Sequence, residues 1–414
     1  MRLLLCSEFY APSRGGVQQV TRSVGEYLVS RGHEVTVATS QLPGRNGEVI
    51  NGVKLEEFDI AGNQVRGFTN PDEVARYQRF LLDFPADAIL VNAALQWTHD
   101  AALPVLDRIR ARKVLIPCGF SSLYEPHYAD YFAHLATVLG DWDHLVFHAS
   151  AYRDIAFARN LGLTRLSIIP NGADPDEFAV APDPGFRASL GIGEEDVLFL
   201  TVGSPPQDKG HAELAEAFCL MDDIGRPASL LLNGAWPFEV VDGAPAERVP
   251  VKLEHRARAA RQLLSGRARS ALPVGHWQQR ARSRGRKILL SNLERDRLVQ
   301  AFLAADLFVF ASRLEYSPLV LFEAAAAGTP FLSVPAGNAA KIATWTGAGA
   351  IVPAPTDSRG RIRVRPSVLA RAMAGEAGDR AELSWRGENG RRSVVREYNW
   401  NRIGALYEAV LAGS

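Results

Sequence analysis

Cysteine is scarce in this 414-residue chain, and Cys6, Cys118 and Cys219 stand more than a hundred positions apart with no CxxC pair. That spacing excludes a disulfide-stapled scaffold or a thiolate zinc ribbon and fits a reducing compartment. No apolar run approaches the roughly 18 residues that a membrane-spanning helix needs. The apolar start, Leu3 to Cys6, meets Ser7 and Glu8 at once, so neither a span nor a signal peptide is expected. Net charge is absent too, 46 basic residues against 46 acidic, which argues against a general nucleic-acid binder. Lysine is the rarest charged residue, six of the 46 basic positions, so any one lysine calls for a reason.

What is present is ordinary for a soluble globular protein, with 47% hydrophobic and 22% charged residues. The length suggests two or three domains. Charge is uneven, however: residues 248–287 hold twelve Arg or Lys and one acid, Glu254, so that segment carries +11 and the remainder −11. Such a segment suits an anionic surface, a phosphorylated ligand or a solvated loop.

Short apolar runs alternate with amphipathic stretches, the pattern of βα units around a parallel sheet. Strands are expected at 2–6, 34–39, 87–91, 113–116, 145–148 and 166–169, with helices such as 98–110 and 151–161. The run IPNGADPDEFAVAPDP (169–184) breaks the alternation with Pro, Asp and Gly and reads as a linker. A second series follows, with strands at 196–202, 229–232, 287–290, 307–310 and 331–334, and helices at 211–221 and 294–304. The expected domains are 1–178, 179–395 with a basic insertion at 235–286, and a last helix in 396–414 that could return to the first domain. Leu253, Ala257, Ala260 and Leu264 form a weak apolar stripe in the insertion.

Doubly wound sheets bind ligands beyond the carboxyl ends of their strands, where helix N-termini favour phosphates. Three loops qualify. Gly15 and Gly16 follow the first strand, in a loop that is not a GxGxxG. Gly203-Ser204-Pro205-Pro206-Gln207-Asp208-Lys209-Gly210 places a rare lysine at a helix start, against the helix dipole, which suggests an anion there. Ser312 to Glu323 should start a helix with Ser317 as N-cap and Pro318 in first position, leaving Glu315 in the loop and Glu323 among alanines and leucines. A buried carboxylate is costly unless a ligand hydroxyl or a buried Arg answers it.

In this order, Gly15-Gly16, IPNGADPDEF (169–178), GSPPQDKG (203–210) and SRLEYSPLVLFEAAAAGTP (312–330) resemble the retaining glycosyltransferases of family 4, over nearly the whole chain. The resemblance implies the GT-B fold, two doubly wound Rossmann-like domains around a nucleotide-sugar cleft, with an acceptor-side first domain and a donor-binding second one. It makes Glu315 the donor-sugar carboxylate, Glu323 the acceptor of ribose hydroxyl bonds, and Lys209 the cation on the diphosphate. Backbone amides near Gly16, Leu319 and Val320 share that charge. Gly15, Gly203, Ser204, Asn292, Tyr316 and Ser317 complete the implied donor site. Cys118 stands where many members have a His near the donor sugar and is counted with Glu315 and Lys209 as catalytic; Ser204 stands where an Arg accompanies the lysine, Tyr316 where a Gly is frequent and Lys341 where a loop Glu is frequent. Arg14 or an insertion arginine could compensate for the missing cation.

The expected function is metal-independent transfer of a sugar, with retention, from a nucleotide sugar to a glycan or lipid-linked glycoconjugate. It needs no cofactor and no nucleic acid, and it is placed in the cytoplasm, with residues 248–287 and Trp277 offered to the inner, anionic face of a membrane. Breaking a sugar–diphosphate bond builds negative charge on the leaving oxygen, which a Lys and oriented amides can stabilise. The rivals are a catalytically weak sugar-nucleotide-binding or scaffolding protein and a sugar epimerase or phosphorylase on the same architecture. Asp141-Trp142-Asp143 and Asp174-Pro175-Asp176 match a metal-binding DxD, a pattern common by chance, and the histidines show no ligand spacing.

Overall fold

The computed structural model describes residues 1–13, 15–45, 47–204, 208–236 and 274–413. Packing divides the chain into two units: Met1–Gly172 with Tyr316–Leu319 and Glu397–Ser414, and Ala173–Glu315 with Val320–Arg396.

The first unit is built on β1 (Arg2–Cys6), β2 (Glu34–Ser40), β3 (Val49–Ile50), β4 (Val53–Phe58), the hairpin β5 (Gly62–Asn63) and β6 (Gly67–Phe68), then β7 (Ala88–Asn92), β8 (Arg112–Ile116), β9 (His144–Phe147) and β10 (Leu166–Ile168). Its main sheet has the order β10-β9-β8-β7-β1-β2-β4-β3. All pairs are parallel except β3 with β4. Strands covered on both faces need apolar residues at every position, which is why RLLLC and AILVN read so plainly. Leu4 and Cys6 face one core, with Tyr77, Trp97 and Trp142, while Leu3 and Leu5 face the other, with Val24 and Leu28.

The last helix, Trp400–Ala412, belongs to this second core through Ile403, Tyr407, Val410 and Leu411. It lies against the helix Gly16–Ser30 so closely that a Cβ on Gly404 would sit 2.3 Å from Cγ of Tyr27. Glu408 fixes the contact, accepting from Tyr27 Oη at 3.1 Å and lying 2.8 Å from His33 Nε2.

The second unit has β11 (Val197–Val202), β12 (Ala228–Asn233), β13 (Lys287–Ser291), β14 (Leu307–Phe310), β15 (Phe331–Ser333) and β16 (Gly349–Ile351), all parallel in the order β13-β12-β11-β14-β15-β16. In both sheets the strand order reverses at the first strand, between β1 and β7 and between β11 and β14. Those switch points are where a doubly wound sheet opens to a ligand.

Several elements depart from expectation. The helix expected at 98–110 is instead a short helix, Trp97–Asp100, and a 3-10 turn, Leu103–Arg108, because Pro104 supplies no backbone N–H. Strand β4, VKLEEF, lies next to the sheet edge with half its residues polar and was not expected. The helix after Glu315 runs Leu319–Ala327, so Pro318 precedes it rather than opening it, and Ser317 uses its carbonyl to accept from Asn171 Nδ2 at 2.9 Å. Lys341 lies within the helix Ala339–Thr346, not in a loop.

Of the basic insertion, residues 237–273, with the stripe Leu253, Ala257, Ala260 and Leu264, lie outside the described residues, as does Arg14. The rest is anchored to the second core. Trp277, on the helix Val274–Arg282, is partly buried against that core. The buried Arg286 donates to the carbonyls of Phe218, Met221 and Asp222, which end the helix His211–Leu220.

Candidate active site

At the switch point of the second unit, β11 ends at Val202, Gly203 follows and the chain turns back into the helix His211–Leu220. The stem of Lys209 lies across Gly203, where a Cβ would meet its Cγ at 3.3 Å. Its ammonium reaches Glu315 Oε1, from the loop after β14. Ser312 Oγ lies 3.1 Å from the same oxygen and 2.7 Å from the carbonyl of Asp208. The anion that the lysine's position asked for is thus supplied, in this structure, by Glu315. Asp208 itself accepts from Arg361 Nη1 at 2.7 Å.

Next to this pair, Asn233 at the end of β12 ties two loops together, accepting from Ser291 Oγ at 2.9 Å and from Leu293 N–H at 2.8 Å. Asn292, between those two donors, is exposed. Ser204 Oγ accepts from Ala235 N–H at 3.4 Å. His211 is buried beside Gly203, and burial, then the nearby Lys209, pushes its imidazole down to about 4, so it stays neutral.

Glu323 projects from the helix Leu319–Ala327, whose first turn contains Leu319 and Val320. A half-buried Arg does answer it: Arg295 Nη1 stands 2.8 Å from Glu323 Oε1. The same guanidinium donates through Nε and Nη2 to Glu177 at 2.6 and 2.5 Å. Burial raises the Glu323 carboxyl above its usual range, and Arg295 pulls it back.

In the first unit, Gly15 and Gly16 open the helix Gly16–Ser30 after β1, with no side-chain cap on its first amides. Gly16 adjoins Leu319, whose Cδ1 would be 3.8 Å from a Cβ there. Cys118 follows β8 and begins a left-handed run, φ 64° at Cys118, 88° at Gly119 and 50° at Phe120. Gly119 cannot be another residue, because a Cβ would lie 2.6 Å from Cγ of Tyr316. The Tyr316 hydroxyl donates to Asp154 and accepts from the His148 amide at 2.8 Å. Asp154 also accepts from the amides of Gly119 and Ile155, at 2.9 and 2.8 Å, yet burial holds its carboxyl up at about 6. Burial, and then Asp154, pushes the Cys118 thiol up to about 12, and burial pushes His148 down to about 4. A thiol in that range is not ionised at neutral pH.

The structure therefore joins Lys209 with Glu315 in one unit and Gly16, Leu319, Cys118 and Tyr316 in the other. Sequence reasoning passes over Arg295, Glu177, Ser312, Asn233 and Asp154. The DxD carboxylates have local duties instead: Asp143 accepts from Lys113 N–H at 2.8 Å and Asp174 from Asp176 N–H at 3.0 Å. Among the described residues no group of three His, Cys, Asp or Glu side chains could hold a metal ion, and no helix is long and apolar enough to cross a membrane.

Comparison with known proteins places this geometry. Residues 15–172 match the glycosyl transferase 4-like domain and residues 278–360 the glycosyl transferases group 1 domain. No curated protein matches the chain. Among solved structures, sucrose-phosphate synthase from Thermosynechococcus elongatus is similar over 100% of both chains, with TM-score 0.70 and 20% identity. WaaG, a glycosyltransferase involved in lipopolysaccharide biosynthesis, is similar over 100% of both chains at TM-score 0.66 and 18% identity. Anabaena HepE in complex with UDP-glucose is similar over 100% of both chains at TM-score 0.65 and 15% identity. With the two domain matches spanning more than half its length on this pair of parallel α/β sheets, the chain belongs to the group 1, or family 4, glycosyltransferases of the GT-B fold, enzymes that take their sugar from a nucleotide-sugar donor.

Proposed function

We propose that this enzyme transfers its sugar with retention and without a metal ion, to a glycan or lipid-linked glycoconjugate. The observation that carries the reading is the meeting of Lys209 and Glu315, 106 positions apart in the chain, at the switch point of the second sheet. A cation and a carboxylate in contact can serve the two sides of one breaking bond: Lys209 the diphosphate, Glu315 the sugar hydroxyls. The C1–oxygen bond to the phosphate breaks with its electron pair going to the diphosphate, and the acceptor oxygen bonds to C1 from the same face. The acceptor proton passes to the departing phosphate oxygen. Lys209 offsets the charge that grows there, the task a metal performs elsewhere.

Glu315 is engaged by Lys209 and Ser312, which suits orienting the sugar rather than attacking it. HepE is described with UDP and with UDP-glucose, so uridine nucleotides are the first donors to try. The likeness to WaaG, a glycosyltransferase involved in lipopolysaccharide biosynthesis, supports a lipid-linked acceptor. The basic segment 248–287 supports work beside the inner face of an anionic membrane.

The test is a comparison of two isosteric variants in the presence of EDTA, with UDP release from UDP-glucose and UDP calorimetry as readouts. Glu315→Gln should lower kcat by about 10²-fold or more and leave UDP affinity nearly unchanged. Glu323→Gln should mainly raise the donor KM and weaken UDP. Equal losses of UDP binding, or activity abolished by EDTA and restored by manganese, would reject the assignment.

A further inference from the structure

Glu323 sits on a helix stretch, LVLFEAAAA, that offers it no polar neighbour, and only 14% of its side chain is exposed. Its position is set by a residue on another element. Arg295, first residue of the helix Arg295–Ala304, spends the Nε and Nη2 edge of its guanidinium on a two-bonded contact with Glu177. The plane lies over the buried ring of Phe178, 5.6 Å from the centroid. That fork leaves one nitrogen, Nη1, directed at Glu323 Oε1. Among the described residues no hydrogen bond reaches Oε2, so its lone pairs remain for a ligand.

Two carboxylates share one guanidinium, and the group keeps one negative charge. An ionised carboxylate only accepts hydrogen bonds, whereas a protonated one presents a donor. The vicinal hydroxyls of a ribose can donate to either form, but their hydrogen bonds to the ionised one are roughly twice as strong. Burial and Glu177 both raise the Glu323 carboxyl, and among the described residues Arg295 alone lowers it. These are the charged groups that face it, from the helix at 295 and from the segment at 177.

We propose that Arg295, itself braced by Glu177 and Phe178, is a positioning residue that keeps Glu323 ionised with Oε2 turned to the donor ribose. The inference rests on the assignment of Glu323 to the ribose, and it adds the residue that makes that assignment chemically workable. Arg295 touches no substrate. Its effect is therefore visible as a pH-dependent loss of ribose discrimination, which a merely structural role would not produce.

The experiment measures the affinity of UDP, GDP and ADP, each beside its 2′,3′-dideoxy analogue, by calorimetry from pH 6.5 to 9. The ratio within each pair cancels the titration of the phosphates. In the wild type, the best-bound nucleotide should lose about 10- to 100-fold on losing its hydroxyls, as expected for hydrogen bonds to a charged group, with little pH dependence. In Arg295→Met the ratio should fall below about 3 at pH 6.5 and recover as pH rises and Glu323 ionises. The double variant Arg295→Met/Glu323→Gln contains no unpaired buried carboxylate. It should melt near the wild type and show a low, pH-independent ratio. Glu177→Gln, which loosens the fork but keeps Arg295, should fall between.

A wild-type or pH-independent ratio in Arg295→Met overturns the inference. A wild type that binds UDP tightly but ignores the hydroxyls removes the ribose role of Glu323 and the inference with it. Binding of none of the three diphosphates defeats the nucleotide reading itself.

Discussion

Both sheets reverse their strand order at their first strand, and both place a loop and a helix start at that point, yet they furnish it with opposite chemistry. In the second unit the place is charged, with Lys209 on Glu315 and Arg295 between Glu177 and Glu323. In the first it is a matter of backbone and shape. Gly15 and Gly16 open a helix, Tyr316 lies on Gly119, and the nearby thiol and imidazole of Cys118 and His148 are both held neutral by burial. The difference teaches that the ion pairs singled out by the motifs lie in the second unit, whereas the glycines and Cys118 of the first lie among backbone and neutral groups.

The largest test of that contrast is Lys209→Ala. Removing the cation should lower kcat/KM for UDP-glucose by about 10³-fold and weaken UDP by about tenfold, because the diphosphate is charged before the reaction and more so during it. Kinetics and calorimetry that both move less than threefold would erase the distinction.

Asp154 tests the first unit, as the one carboxylate of its neutral cluster. Its folded carboxyl stands near 6, above the ordinary 3.8. A raised value means that its contribution to stability is present below about pH 4 and is lost as pH rises through 6. A displacement of that size corresponds to about 3 kcal/mol. The stability of wild type relative to Asp154→Asn should therefore fall by about that amount between about pH 4 and pH 7, read from urea melts of both proteins. A difference independent of pH would show that the three hydrogen bonds to Asp154 outweigh its burial.

The smallest effect is expected at Cys118. Cys118→Ser should change kcat by less than about threefold and leave the pH–rate profile in place, since the thiol at about 12 carries no charge to lose. A loss of tenfold or more would return the first unit to the chemistry.

The sequence is most legible where burial is two-sided. The runs RLLLC, VLFLTV and LFVF are almost wholly apolar in their interiors and show themselves as strands nearly to their ends. VKLEEF escapes notice because its position near the sheet edge permits polar residues, and a helix at 98–110 suggests itself because the apolar period there masks Pro104. Of the site, Lys209 and Glu315 stand out by rarity and by a motif. Arg295 does not, being one arginine in forty, with partners 118 positions back and 28 ahead that only the folded chain brings together. Asp154 lacks any signal, since its partner Tyr316 is 162 residues away and its burial is a tertiary property.

The first unit is assembled from three separated pieces of chain, and that has a consequence for the order in which it is made. During synthesis the first 172 residues emerge with β1 to β10 complete, but Ile403, Tyr407, Val410 and Leu411, which finish one of its cores, follow only after the whole second unit has been translated. Until then the core that holds Val20, Val24 and Leu28 of the helix Gly16–Ser30 lacks the four apolar residues that the last helix adds to it. A truncation before Trp400 is therefore expected to leave that core incomplete and the chain more prone to aggregate.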